Sequence, residues 1–147
     1  MKEAVKKLQQ GYVTHALRQQ EEQQSEGRTL VTHTPPYERL VRLYFEAWNA
    51  HDLHRLGELV STDVTYQDWE RHYAGWSVLA ASEAATFAAV PNIAIEVANI
   101  HVAGASSTAV AEFNVKLNDS AGGASRGVYV MQFDAANKIA AVRAYKG

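Results

Sequence analysis

The chain has no cysteine. That removes disulfides, thiolate catalysis and cysteine-ligated metal, and it leaves the compartment open. It has no apolar run approaching the roughly 18 residues of a membrane helix, so no membrane span is expected. It has no basic excess: the net charge is −2, which gives no electrostatic footprint for nucleic acid. Met1–Gln10 carries lysines but no following apolar core, so it does not read as a secretory signal, and a cytoplasmic location is the expectation. The six histidines, His15, His33, His51, His54, His72 and His101, fall in no H-E-x-x-H or comparably tight spacing, so no metal site is expected. No glycine-rich loop precedes a helix; Gly122-Gly123 falls in a predicted hairpin. No Ser/His/Asp set has a recognisable signature, and no cofactor is implied.

What is present is an ordinary globular composition. The 147 residues, 47% hydrophobic and 20% charged, allow one domain with a real core. Residues 1–34 read as a helical extension and linker, and residues 35–147 as the domain. In the extension, Val5, Leu8, Tyr12 and Ala16 recur at helical spacing, and Gln19–Gln24 is polar all round. It could pack on the domain or on a neighbouring subunit, or dock another protein. Its polar face is not basic enough to favour a membrane surface.

Thr34-Pro35-Pro36 is a helix start, because Thr34 can cap and proline is tolerated in the first turn. The helix that follows runs to about Ala50, with Tyr37, Leu40, Tyr44 and Trp48 on one stripe and Val41 and Phe45 widening it. Asp52 is placed to cap a second helix through Leu53, Leu56, Leu59 and Val60, and Ser61-Thr62-Asp63 is expected to break it. Val64–Trp69 alternates, which predicts a strand with Val64, Tyr66 and Asp68 on one face. Glu70–Gly75 is expected to be a loop. A third helix is predicted over Ser77–Val90, with Leu79, Glu83 and Phe87 one turn apart. Pro91-Asn92 ends it. Strands are predicted at Ile93–Val102, Thr108–Leu117, Gly127–Phe133 and Ile139–Tyr145, with a small-residue hairpin at Asp119–Ser125. Three helices followed by an antiparallel meander argue for an α+β fold.

The helix-to-helix segment Tyr44–Leu53, the strand Val64-Thr65-Tyr66-Gln67-Asp68 and the terminal Asn137–Tyr145 resemble the nuclear-transport-factor-two-like superfamily. That superfamily includes ketosteroid isomerases and SnoaL-like polyketide cyclases. The resemblance covers about Pro36 to Gly147. It implies a cone: three helices packed on a strongly curved, mostly antiparallel sheet. In such enzymes an acid at the matching strand position can face a deep apolar pocket, where burial disfavours the charged form. The general-base aspartate of the isomerases falls on Asp68. Their oxyanion-hole tyrosine, on the first helix, falls on Tyr44. Their second oxyanion donor, an acid kept neutral by an apolar site, falls on Tyr129. A phenol there cannot serve as the base of a SnoaL-like cyclase, but it can donate a hydrogen bond to an oxyanion.

Each of these residues has a plainer reading. Asp68 could cap or salt-bridge its own loop, where Arg71 and His72 are near in sequence. Tyr44 and Tyr129 could be core aromatics whose hydroxyls find any partner. His72 is placed at the pocket mouth, where it could act with Asp68 as an acid–base pair. Trp48, Tyr66, Trp69, Tyr73, Trp76, Phe87 and Phe113 would line a site for a small apolar or polycyclic ligand, or they are simply core. Two functions stay open. One is a cofactor-free enzyme doing isomerase- or cyclase-like proton transfer, with Asp68 as general base. The other is a non-catalytic ligand-binding or oligomerisation domain. A homodimer is expected, because the sheet face away from the helices also carries apolar residues.

Overall fold

Three helices cover one face of a six-stranded mixed sheet in this computed structural model, an α+β arrangement that describes residues 36–117 and 125–147. The described residues all belong to one unit, Pro35–Gly147. The expected extension, the Thr34 cap and most of the Asp119–Ser125 hairpin lie outside the described residues.

Helix α1 spans Tyr37–Asn49 and buries Tyr37, Val41, Tyr44, Phe45 and Trp48 of the expected stripe, with Ala47 beside them and Leu40 only half-buried. It stops at a left-handed residue, His51 (φ 55°). A non-glycine there needs outside support. The imidazole supplies it, stacking on Phe87 at 4.1 Å and placing Nε2 3.0 Å from the Ile93 carbonyl. Just before the break, Asn49 clamps the helix to the sheet: Nδ2 donates to Ile95 O at 2.8 Å and Oδ1 accepts from Ile95 N at 2.7 Å. Asp52 caps α2 (Leu53–Leu59) by accepting from Arg55 N at 3.1 Å.

Strand β1 is Val60–Gln67, so it begins four residues before the expected start. Helix α2 stops at Leu59, so Val60, expected as part of it, opens the strand, and Ser61-Thr62-Asp63 lies in an irregularity within that strand. Val60 pairs with Ile139, and the next pair on the same ladder is Thr65 with Ala141. The unpaired polar residues between them hide the strand's period. Nor is Glu70–Gly75 all loop. His72–Ala74 forms a short edge strand, β2, antiparallel to β1. Gly75, at φ 91°, then turns the chain into α3 (Trp76–Ala89).

The remaining strands are β3 (Ala94–Ala103), β4 (Thr108–Lys116), β5 (Arg126–Phe133) and β6 (Ile139–Lys146). They follow the expected meander within a residue or two at each end. The order across the sheet is β2-β1-β6-β5-β4-β3. Among the described strands only β1 and β6 run parallel; every other neighbour is antiparallel. Register shifts in β1, in β3 (between Val97 and Asn99) and in β6 (at Ala140, opposite Gln132 and Phe133) are the kind of insertion that bends a sheet. Helix α1 packs on β3 and β4, α3 packs on β1 and β2, and α2 joins α1, α3 and β1. The core between them includes Val41, Leu56, Val64, Leu79, Met131, Ile139 and Val142.

Candidate functional site

Between the last turn of α1, the inner face of α3 and the β1–β2 turn lies a cavity of about 280 Å³. Ile93, Ile95 and Val115 form its apolar back. Its polar groups come from five elements, Tyr73 on β2 and Ser82 and Thr86 on α3 among them. Trp48 enters from α1, Tyr66 from β1, Tyr129 from β5 and Glu83 from α3. Asp68, Trp69, Glu70 and Arg71 form the rim.

Tyr66 sits where strand alternation turns its ring inward, opposite Tyr73 at 6.0 Å between rings. Its hydroxyl donates to Asp68 Oδ2 at 3.1 Å. Asp68 follows the last strand residue, and its own backbone closes the turn by donating to Arg71 O at 2.9 Å. Its Oδ1 accepts from Glu70 N at 2.8 Å and from Arg71 N at 2.7 Å. An aspartate receiving the amides two and three residues on is a turn-forming arrangement. Asp68 therefore lines the cavity while fastening the loop beside it. Arg71 reaches it through its main chain; none of the ion pairs between described residues joins the two.

Tyr129 is buried on β5, with Phe113 stacked behind it at 4.6 Å and Phe45 beside it at 5.5 Å. Tyr44 is buried one turn before Trp48, behind the wall rather than in the lining. Burial holds all three phenols, Tyr44, Tyr66 and Tyr129, well above the ordinary tyrosine value. The negative charge of Glu83 adds to that effect at all three, and that of Asp68 at Tyr66 and Tyr129. A hydrogen bond with Tyr66 opposes it at Tyr129. These hydroxyls are thus proton-bearing donors over the whole ordinary pH range.

The sequence reading did not single out Glu83 for chemistry. Trp48 Nε1 donates to its Oε2 at 3.0 Å. Trp48 is itself fixed edge-on against Phe87 at 5.0 Å. Burial pushes the Glu83 carboxyl up to about 6, against the opposing pull of the Trp48 hydrogen bond and the positive charge of Arg71. One signal was available. Glu83 stands midway on the Leu79–Glu83–Phe87 stripe, and both of its apolar neighbours are buried. A carboxyl on the buried stripe of a helix is out of place unless it has work to do.

Several expected lining residues lie elsewhere. Trp76 packs over Gly57 on α2, Phe87 fills space between Trp48 and His51, and neither lines the cavity. Phe113 supports Tyr129 and opens instead onto a separate depression beside Asn99, Asn114 and Arg126. His72 is exposed on β2, paired in register with Gln67, and is not in the lining. Trp69 is on the rim, 57% exposed, with Lys146 Nζ 5.7 Å from its ring centre. Among the described residues no three His, Asp or Glu side chains are grouped to hold a metal ion. Nor is any described helix long and apolar enough to cross a membrane.

Solved structures share this architecture at low sequence identity. A protein of unknown function with a cystatin-like fold from Methylobium petroleophilum PM1 matches with a TM-score of 0.67 at 15% identity, over 75% of this chain and 74% of that one. A candidate ketosteroid isomerase from Kribbella flavida DSM 17836 matches at 0.63 and 18%, over 74% and 76%. A candidate polyketide cyclase from Sinorhizobium meliloti matches at 0.64 and 20%, over 72% and 93%. At such identities the likeness speaks for the fold alone. No curated protein matches the chain. The model of the SnoaL-like domain matches residues 41–142, from the first helix to the last strand, and the chain belongs to the SnoaL-like domain family.

Proposed function

We propose that this protein is a cofactor-free enzyme that moves a proton on a small, largely apolar substrate bearing a carbonyl, in isomerase- or cyclase-like chemistry. The observation that carries this reading is the gathering of two protonated phenols, Tyr66 and Tyr129, with two carboxyls, Asp68 and Glu83, around one mostly apolar cavity. A carboxylate near a carbon acid and fixed donors near its carbonyl oxygen are the two things enolisation needs. A cavity of about 280 Å³ suits a ligand of one or two rings. Asp68 is the base that the resemblance nominates, and Tyr129 is the oxyanion donor; the Tyr66 proton is held by Asp68. The candidate isomerase and cyclase among the structural neighbours are in keeping with this class of reaction. We also propose a homodimer through the outer sheet face, where Val110, Val128 and Val130 are half-buried and Tyr145 is exposed; light scattering tests it.

The catalytic reading is tested with a panel of enolisable ketones and lactones in D2O, following hydrogen exchange at the α carbon by NMR. Wild-type protein should accelerate exchange on at least one member. Tyr129→Phe should lower that rate by roughly 10²–10³-fold, the usual cost of one oxyanion donor, at unchanged melting temperature. Ligand binding with no exchange beyond the buffer rate would transfer the protein to the class of non-catalytic binding domains.

A further inference from the structure

We infer that Glu83 is the proton-transferring carboxyl of this cavity and that Trp48 is its positioning residue, while Asp68 serves the site by holding Tyr66 and the rim. The inference rests on the proton-transfer reading above and assigns its base.

The two carboxyls differ first in vacancy. Asp68 receives three donors: the Glu70 and Arg71 amides on Oδ1 and the Tyr66 hydroxyl on Oδ2. A carboxylate has about four acceptor positions, so Asp68 is nearly spent on structure. Among the described residues Glu83 receives one donor, Trp48 Nε1 on Oε2, and forms no ion pair. It faces a cavity backed by Ile93, Ile95 and Val115. A carboxyl kept among apolar groups with a single partner is costly to the fold, and it leaves lone pairs free to accept a proton from a bound molecule.

The charged surroundings act in both directions. Tyr44 flanks Glu83 from α1, Tyr66 from β1, Tyr73 from β2 and Tyr129 from β5, while the rim contributes Asp68, Glu70 and Arg71. β3 and β4 contribute apolar side chains. Arg71 is the one of these groups that favours the ionised acid. Burial outweighs it and holds the carboxyl at about 6. A base in that range is largely ionised at neutral pH yet is readily protonated, which suits a group that must take a proton and give it back.

The step balances without a co-reactant. A C–H bond α to the substrate carbonyl breaks and its proton passes to Glu83. The bonding pair moves into an enolate whose oxygen accepts a hydrogen bond from Tyr129, while the Tyr66 proton stays on Asp68. Glu83 then returns the proton to carbon, at the same position or at a conjugated one.

The test is α-hydrogen exchange in D2O with 2-tetralone as the first probe of the ketone panel, read by NMR across pH 4.5–8. Exchange by wild type should rise with a midpoint near 6. Glu83→Gln should lose roughly 10²–10⁴-fold, and Glu83→Asp, which keeps the carboxyl but withdraws it, should recover part of the loss. Trp48→Phe should move the midpoint upward, because the lost donor favoured the ionised form; a purely structural tryptophan would leave the midpoint in place. Asp68→Asn should keep the midpoint and lose less than Glu83→Gln. Full activity in folded Glu83→Gln, with loss confined to Asp68→Asn, overturns the assignment and leaves the proposed function standing. A wild-type protein that exchanges no member of the panel overturns both.

Discussion

Glu83→Gln should make the protein more stable at neutral pH, and the gain should depend on pH in a way set by the folded environment. The ordinary value of the carboxyl is 4.5 and the folded value is about 6. Between these, the folded chain holds a proton that the unfolded chain has released. Stability therefore falls as pH rises through this window, since the folded state binds more protons. Below 4.5 Glu83 is neutral in both states and costs nothing. Above about 6 the full penalty applies. At roughly 1.4 kcal/mol per pH unit the total is about 2 kcal/mol. Glutamine keeps an oxygen for the Trp48 indole and never ionises, so the variant escapes the penalty. For a chain of this length about 2 kcal/mol corresponds to a melting temperature difference of roughly 4–8 °C. The measurement is a pair of thermal melts at matched pH from 4 to 8. Other carboxyls titrate in both proteins, so the quantity to follow is the difference between variant and wild type. It should be smallest near pH 4, grow between 4.5 and 6, and level off above. A difference that stays flat with pH would mean that Glu83 is not desolvated when folded. The base assignment would then lose its physical support.

Asp68→Ala removes the acceptor for two rim amides and for the Tyr66 hydroxyl, and should cost roughly 1–3 kcal/mol in urea denaturation; Asp68→Asn, which keeps an oxygen for the amides, should cost less, and equal losses would show that the turn does not depend on that oxygen. Gly57→Ala should destabilise by roughly 1–3 kcal/mol through overpacking, despite a helix-propensity gain of about 1 kcal/mol, because the new Cβ would lie 2.7 Å from Trp76 Nε1. A higher melting temperature for this variant would show that Trp76 swings aside freely.

The elements that were legible in the sequence are those whose burial follows one simple period. α1 announced itself through Tyr37, Val41, Tyr44 and Trp48 because its apolar stripe faces the core along its whole length. β4 and β5 are legible for the same reason: burial alternates along most of their length. β1 was clipped because an irregularity breaks that alternation. Ser61, Thr62 and Asp63 look like a helix stop when read locally, and they become strand only because β6 pairs on either side of them. β2 was missed because three residues carry no period at all. Its strand character comes from Thr65, Tyr66 and Gln67 across the hairpin.

The site divides along the same line. Asp68 was nominated by strand alternation and by resemblance, and both signals are local, so both brought attention to the cavity's rim. What distinguishes Asp68 from Glu83 is not local. The Asp68 oxygens are taken up by amides of its own turn and by Tyr66, whereas Glu83 meets Trp48 from a helix 35 positions earlier in the chain. Sequence could say that Glu83 sat on an apolar stripe. It could not say that the stripe faces an open cavity instead of a filled core, because that depends on how far α1 and α3 stand apart above β3 and β4. A half-buried acid on a helix stripe therefore belongs among the first candidates for chemistry when the fold is one that keeps a space between its helices and its sheet.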